Sequence, residues 1–230
     1  MTVLLGFEIC NRVRYGMKIF FFFFFFFFKQ KTAYEIVPSL VGSEMCKETA
    51  GEGPDLESVR ELVLKDQSIK GIWCVPKHSN PTGDIYSKKT TEGLLKISKE
   101  AEQNFKIFWD NAYAIHDFKD STQLEDIFSL AKDIDDLDSV VAFASTSKMT
   151  YAGSGIGFLA LSESNLDLFL KHYLALVIGP DKVNQAKHVK FFRKNGGVLS
   201  HMKKHAEILK PKFELVNNWL SKQNYGSWTK

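Results

Sequence analysis

From residue 51 onward, apolar and polar positions alternate between two periods. Gly71–Val75 (GIWCV), Phe105–Trp109 (FKIFW) and Ser139–Ala144 (SVVAFA) are short apolar runs that read as buried strands, and Ile156–Leu161 reads as a fourth. Between them the period lengthens to that of a helix. Pro54-Asp55 opens one through Val59, Leu62 and Val63, with Asp55 as its N-cap, and Ser87 caps another whose Leu94, Leu95 and Ile97 share a face. Helical sequence recurs around Leu124–Leu130. After Leu161 only helices are predicted: Leu166–Ile178, roughly Lys182–Arg193, and a long amphipathic one over Leu199–Leu220 in which Pro211 introduces a kink. Strands alternating with helices predict an α/β fold, a mainly parallel sheet with helices on both faces. The long last helix leads out of that layer.

The first fifty residues follow neither period. Nine consecutive Phe occupy Phe20–Phe28, too few to span a bilayer and without a small-residue cleavage site behind them. Lys29–Ile36 (KQKTAYEI) and Ser39–Cys46 (SLVGSEMC) resemble two successive blocks of translated sequencing adapter, and the Phe run resembles translated poly-T. Residues 1–50 are therefore expected to be non-native and disordered, residues 51–195 to be a partial large domain, and 196–230 a connecting helix and the start of a truncated small domain.

Charge changes the picture little. The chain of 230 residues carries 30 basic and 27 acidic side chains, a net +3. Leaving out residues 1–50 removes six basic and four acidic groups, so 24 and 23 remain. Such a balance offers no electrostatic footprint for nucleic acid or a membrane surface. Three scattered cysteines, Cys10, Cys46 and Cys74, argue against a disulfide framework or a zinc site, so a reducing cytoplasm is the expected location.

Candidate chemistry follows the strands. Asn80-Pro81-Thr82-Gly83, Asp110-Asn111-Ala112-Tyr113 and Ser145-Thr146-Ser147-Lys148 each come directly after a predicted strand. Open α/β sheets bind ligands beyond the strand carboxyl ends. An amide, a carboxylate, a phenol, hydroxyls and an amine can therefore converge on one ligand. Singly, each has a plainer reading: a turn at Asn80, a helix cap or ion pair at Asp110, a core phenol at Tyr113, a solvated amine at Lys148. His78, His116 and His172 lack metal-ligand spacing and read as ordinary surface or core residues, Cys74 as a small core residue, and Gly153-Ser154-Gly155 as a tight turn. Lys187, Lys190, Arg193 and Lys194 read as a solvated helix face.

The segments CVPKHSNPTG, FWDNAYAIHDF, FASTSKMTYAGSGIGF and GPDKVNQAKHVKFF resemble fold-type I enzymes dependent on pyridoxal 5′-phosphate (PLP), and among them a bacterial aspartate-aminotransferase-like subgroup, over about residues 51–230. The resemblance implies that Lys148 holds PLP as a Schiff base and then moves the substrate proton. It puts Asp110 beside the pyridine nitrogen, Tyr113 and Asn80 on the ring oxygen, and Ser145 on the phosphate. It implies transamination between an amino acid and a 2-oxo acid, aspartate being the favoured class, by a homodimer. A lyase or decarboxylase of the same fold, or the PLP-binding effector domain of a transcriptional regulator, shares these features. The pattern departs at Ile156, where many relatives carry a phosphate-binding arginine. The family's N-terminal phosphate loop and its C-terminal carboxylate-binding arginine are not recognisable, so the chain is expected to be a fragment, inactive alone.

Overall fold

The computed structural model describes residues 18–22, 48–49, 51–80, 82–101, 104–118, 123–150 and 153–223. The element order is β1 (Lys18–Phe22), β2 (Glu48–Thr49), β3 (Gly53–Pro54), α1 (Leu56–Lys65), β4 (Gly71–Cys74), α2 (Lys88–Glu100), β5 (Lys106–Asp110), α3 (Ile127–Asp133), β6 (Val140–Ser145), β7 (Gly157–Leu161), α4 (Glu163–Leu176), α5 (Lys182–Lys194) and α6 (Val198–Lys222). A 3-10 turn, Leu137–Ser139, leads into β6.

The helices begin where short polar side chains can take up free amides. Asp55 accepts from the amides of Glu57 and Ser58, Ser87 from Thr90, Ser162 from Asn165 and Asp181 from Asn184. Gly196 and Gly197, both at positive φ, reverse the chain between α5 and α6. Pro211 lies within α6 without ending it.

Five strands form one sheet in the order β1-β7-β6-β5-β4. β4, β5 and β6 are parallel, joined by crossovers through α2 and α3, while β7 runs antiparallel to β6. Strand alternation sorts the faces. Cys74, Ile107, Trp109 and Val140 point to a core closed by Val59 and Val63 of α1, Leu94, Leu95 and Ile97 of α2, and Ile127, Phe128 and Ala131 of α3. Leu159 and Leu161 point the other way, against Leu166 and Tyr173 of α4. Helices thus lie on both faces. Each fully buried Leu or Ile contributes about 1.5–3 kcal/mol relative to exposure.

Two stretches within residues 1–50 are described, and both are extended. β1 pairs antiparallel with β7, Phe20 opposite Leu159, and β2 pairs with β3. Ile and Phe are strand formers, and β7 would otherwise present an open edge. The rest of the adapter-like stretch lies outside the described residues.

Candidate active site

Because β4, β5 and β6 are parallel, the loops that follow them leave from one edge of the sheet. These loops carry Asn80, then Asp110 and Tyr113, then Ser145 and Lys148.

Asp110 closes β5, opposite Phe143 of β6. The amide of the next residue, Asn111, continues the ladder by donating to the Phe143 carbonyl at 2.9 Å. Asp110 is half-buried, and burial pushes its carboxyl above the ordinary aspartate value. Hydrogen bonds from the Trp73 side chain and the Ala112 amide oppose that shift. Among the described residues no Lys, Arg or His forms an ion pair with it. Trp73 stacks on Phe108 and Phe143, with ring centroids 5.6 and 5.3 Å away.

Tyr113 sits in the turn after β5, half-buried, its ring 5.4 Å from His116 in an edge-on arrangement. His116 Nε2 lies 3.2 Å from the backbone oxygen of Lys148. The Asp110–Tyr113 loop and the lysine turn therefore meet through His116. Burial pulls the His116 imidazole below its usual value.

Asn80 is exposed at the tip of a turn closed by Gly83 N donating to Ser79 O at 2.5 Å and Ser79 N donating to Asp84 O at 3.0 Å. The base of this loop is tied to the Tyr113 loop. The Lys77 amine donates to Ala114 O at 2.9 Å and to Asp117 Oδ2 at 2.8 Å, while His78 Nε2 meets Asp117 Oδ1 at 3.0 Å.

Ser145 ends β6. Its hydroxyl donates to Ser147 Oγ at 2.8 Å and accepts from Ser147 N at 2.9 Å. Lys148 is exposed, and its amine makes no hydrogen bond or ion pair among the described residues. The turn returns through Gly155, where an added Cβ would collide with Ser147 Oγ and lie 2.8 Å from Ser147 N. Ile156, at the position of the family arginine, is buried, and its amide donates to Thr146 Oγ1 at 2.8 Å.

The five predicted residues thus share one edge of the sheet, and among the described residues no ion pair joins any two of them. A cavity of about 1070 Å³ opens beside them, between the loop after β5 and α6. Lys77, Asn111, Asp117, Met202 and Glu207 are among its walls, and none of the five predicted residues is. Lys77, Asp117 and His116, which tie the loops together, were not legible as site residues. Their one signal was position: each lies within the two segments that also carry Asn80 and Tyr113.

The sequence pattern of the aspartate amino-transferase family matches residues 35–230. The chain belongs to that family. The match begins at residue 35 rather than near Gly51, and so takes in part of the adapter-like stretch. The chain is 42% identical over 183 residues to a Mycolicibacterium smegmatis protein provisionally named an aminotransferase. It is 38% identical over 183 residues to the aspartate aminotransferase of Corynebacterium glutamicum. In both cases 77% of this chain covers 42% of the relative, so the chain spans less than half their length. Among solved structures, an aspartate transaminase from Corynebacterium glutamicum superposes with a TM-score of 0.74 at 36% identity, over 84% of this chain and 46% of that one. The parallel strands and their trailing loops are therefore those of an aminotransferase-family fold. Among the described residues no helix is long and apolar enough to cross a membrane, and no cluster of metal-binding side chains occurs.

Proposed function

We propose that this chain is the cofactor-binding part of a PLP-dependent aminotransferase that moves an amino group between an amino acid and a 2-oxo acid, with an acidic amino acid such as aspartate as the substrate class. The observation that carries the reading is Asp110: a half-buried carboxyl without a cationic partner among the described residues, at the end of β5 and next to the end of β6 from which the lysine turn departs. Such a group fits a protonated ring nitrogen, which would supply the missing positive charge.

Lys148 would provide the amine that attaches the cofactor, Tyr113 and Asn80 the donors to its ring oxygen, and Ser145 a hydroxyl for its phosphate. Bound there, PLP supplies an electron-withdrawing ring that acidifies the substrate α-carbon. Asp110 would keep that ring oriented and charged. Lys148 would accept and return the proton at the substrate α-carbon, a role open to an amine that makes no other hydrogen bond or ion pair among the described residues. Ile156 adds no charge, so the phosphate would be held by Ser145, by backbone amides of the turn and by residues elsewhere in the whole enzyme. Turnover is assigned to a cytoplasmic homodimer of the full-length protein. The 230-residue chain alone is expected to bind PLP without turning substrate over.

The test is amino transfer from aspartate to a 2-oxo acid by the full-length protein, followed as keto-acid formation. The reading requires PLP-dependent turnover that Lys148→Ala abolishes. Turnover that survives Lys148→Ala, or no amino transfer with any acidic amino acid, would overturn it.

A further inference from the structure

The turn that carries Lys148 is gripped, mostly at its backbone carbonyls, by side chains from three other elements. His116, after β5, reaches the Lys148 carbonyl at 3.2 Å. His201 of α6 reaches the Met149 carbonyl at 2.7 Å. Asn184 of α5 donates to the Ser154 carbonyl at 2.8 Å, and His188, one helical turn further along α5, meets the Thr150 hydroxyl at 3.1 Å. Asn184 and His188 are themselves buried.

We propose that His116 is a positioning residue that sets Lys148 relative to Tyr113, and that His201, Asn184 and His188 form the rest of the clamp. This rests on the assignment of Lys148 as the cofactor lysine. A carbonyl oxygen only accepts, so His116 and His201 must each carry hydrogen on Nε2. For His116 the opposite nitrogen, Nδ1, is buried and has no partner at hydrogen-bonding geometry, although the Tyr113 backbone weakly favours the charged ring. A proton on both nitrogens would leave a buried N–H unsatisfied, which makes the Nε2–H tautomer the stable form. The depressed basicity of His116 agrees with a neutral ring. One side of that ring stands edge-on to Tyr113 at 5.4 Å and another faces His205 of α6 at 6.2 Å.

His116 is thus a rigid, uncharged spacer with one donor, packed on the predicted phenol and bonded to the backbone of the predicted amine. Reacting groups displaced by about 1 Å can lose on the order of 100-fold in rate, so a spacer at this junction matters although it touches no reacting atom. Gln at residue 116 can present an amide N–H near the place of Nε2. Phe keeps the ring but not the donor.

The experiment uses the 230-residue chain with PLP and borohydride, reading the rate at which a pyridoxyl group appears on Lys148 by peptide mass mapping. His116→Phe is expected to slow labelling at Lys148 by about tenfold, with labelling of surface lysines unchanged, and His116→Gln to restore it to within about threefold. Nitrogen-15 NMR of the unsubstituted chain reads the same claim without a variant. It should show His116 as the Nε2–H tautomer, with its signals shifting when PLP is added. Wild-type label absent from Lys148 would overturn the cofactor assignment and this proposal together. Wild-type label on Lys148 with His116→Phe labelled as fast, with Gln no better than Phe, or with His116 as the Nδ1–H tautomer, would overturn the positioning role alone.

Discussion

The Lys77 amine lies 2.8 Å from Asp117 Oδ2, and both side chains are largely buried, at 5% and 15% exposure. The pair spans 40 residues of sequence and joins the loop bearing Asn80 to the loop bearing Tyr113. The second carboxylate oxygen of Asp117 holds His78, whose backbone is in the left-handed region at φ 51. Removing one partner of a buried pair leaves an uncompensated charge, which costs about 3–5 kcal/mol, whereas replacing both by apolar groups can be neutral. Asp117→Asn is therefore expected to destabilise the chain by about 3 kcal/mol in urea unfolding, and Lys77→Met combined with Asp117→Leu by much less. Equal losses would show that the two groups act separately.

Gly155 packs against the lysine turn. An added Cβ meets Ser147 at its backbone nitrogen and Cα as well as its hydroxyl, at 2.8 and 2.9 Å for the backbone atoms, so the neighbour cannot swing aside. Gly155→Ala is expected to cost about 1–3 kcal/mol, within the range for overpacking, and Ser147→Ala should not rescue it. Thermal unfolding of the single and double variants checks this.

Asp110 offers a test with a sign. Burial raises its folded-state pKa above the unfolded value. Between those two values the native chain binds more protons than the unfolded one, so this group's contribution to stability falls as pH rises from about 4 through the folded pKa. Asp110→Asn should then leave the stability of the cofactor-free chain at pH 7 unchanged or slightly higher. The same change removes a charge-assisted hydrogen bond worth about 1.5–3 kcal/mol, so affinity for PLP should drop about 10- to 100-fold. Carbon-13 NMR of the Asp110 carboxyl should show titration above the ordinary aspartate range in the free chain and below it with PLP bound. Trp73→Phe removes a hydrogen bond that lowers this pKa, so it should raise the free-chain value further.

In the core, Leu95 is 1% exposed and packs between α2 and the sheet. Leu95→Ala is expected to cost about 2–5 kcal/mol by urea unfolding. Leu176, at 83% exposure near the end of α4, should tolerate Ala within about 0.5 kcal/mol.

What the sequence made legible was set by local physics. The strand at Lys106–Asp110 shows as an apolar run, and Asp55 and Ser87 announce their helices because a cap is a contact within three residues. The parallel direction of β4, β5 and β6 follows from alternation with helices, while their order in the sheet did not show. The direction of β7 did not show, because a parallel and an antiparallel strand carry the same apolar run. Asn80, Asp110, Tyr113, Ser145 and Lys148 stood out through their motifs and through their places after strands. His116, Asn184, His188 and His201 did not, since each acts on a backbone carbonyl or a hydroxyl between 30 and 52 residues away and leaves no local spacing.

PLP bound to this chain must choose one lysine. Incubating the 230-residue chain with PLP, reducing with borohydride and mapping the labelled peptides by mass spectrometry asks this directly. A dominant pyridoxyl group on Lys148, lost when Asp110 is replaced by Ala, is the predicted result. Label spread over exposed lysines such as Lys187 and Lys190, with none concentrated at Lys148, would contradict it.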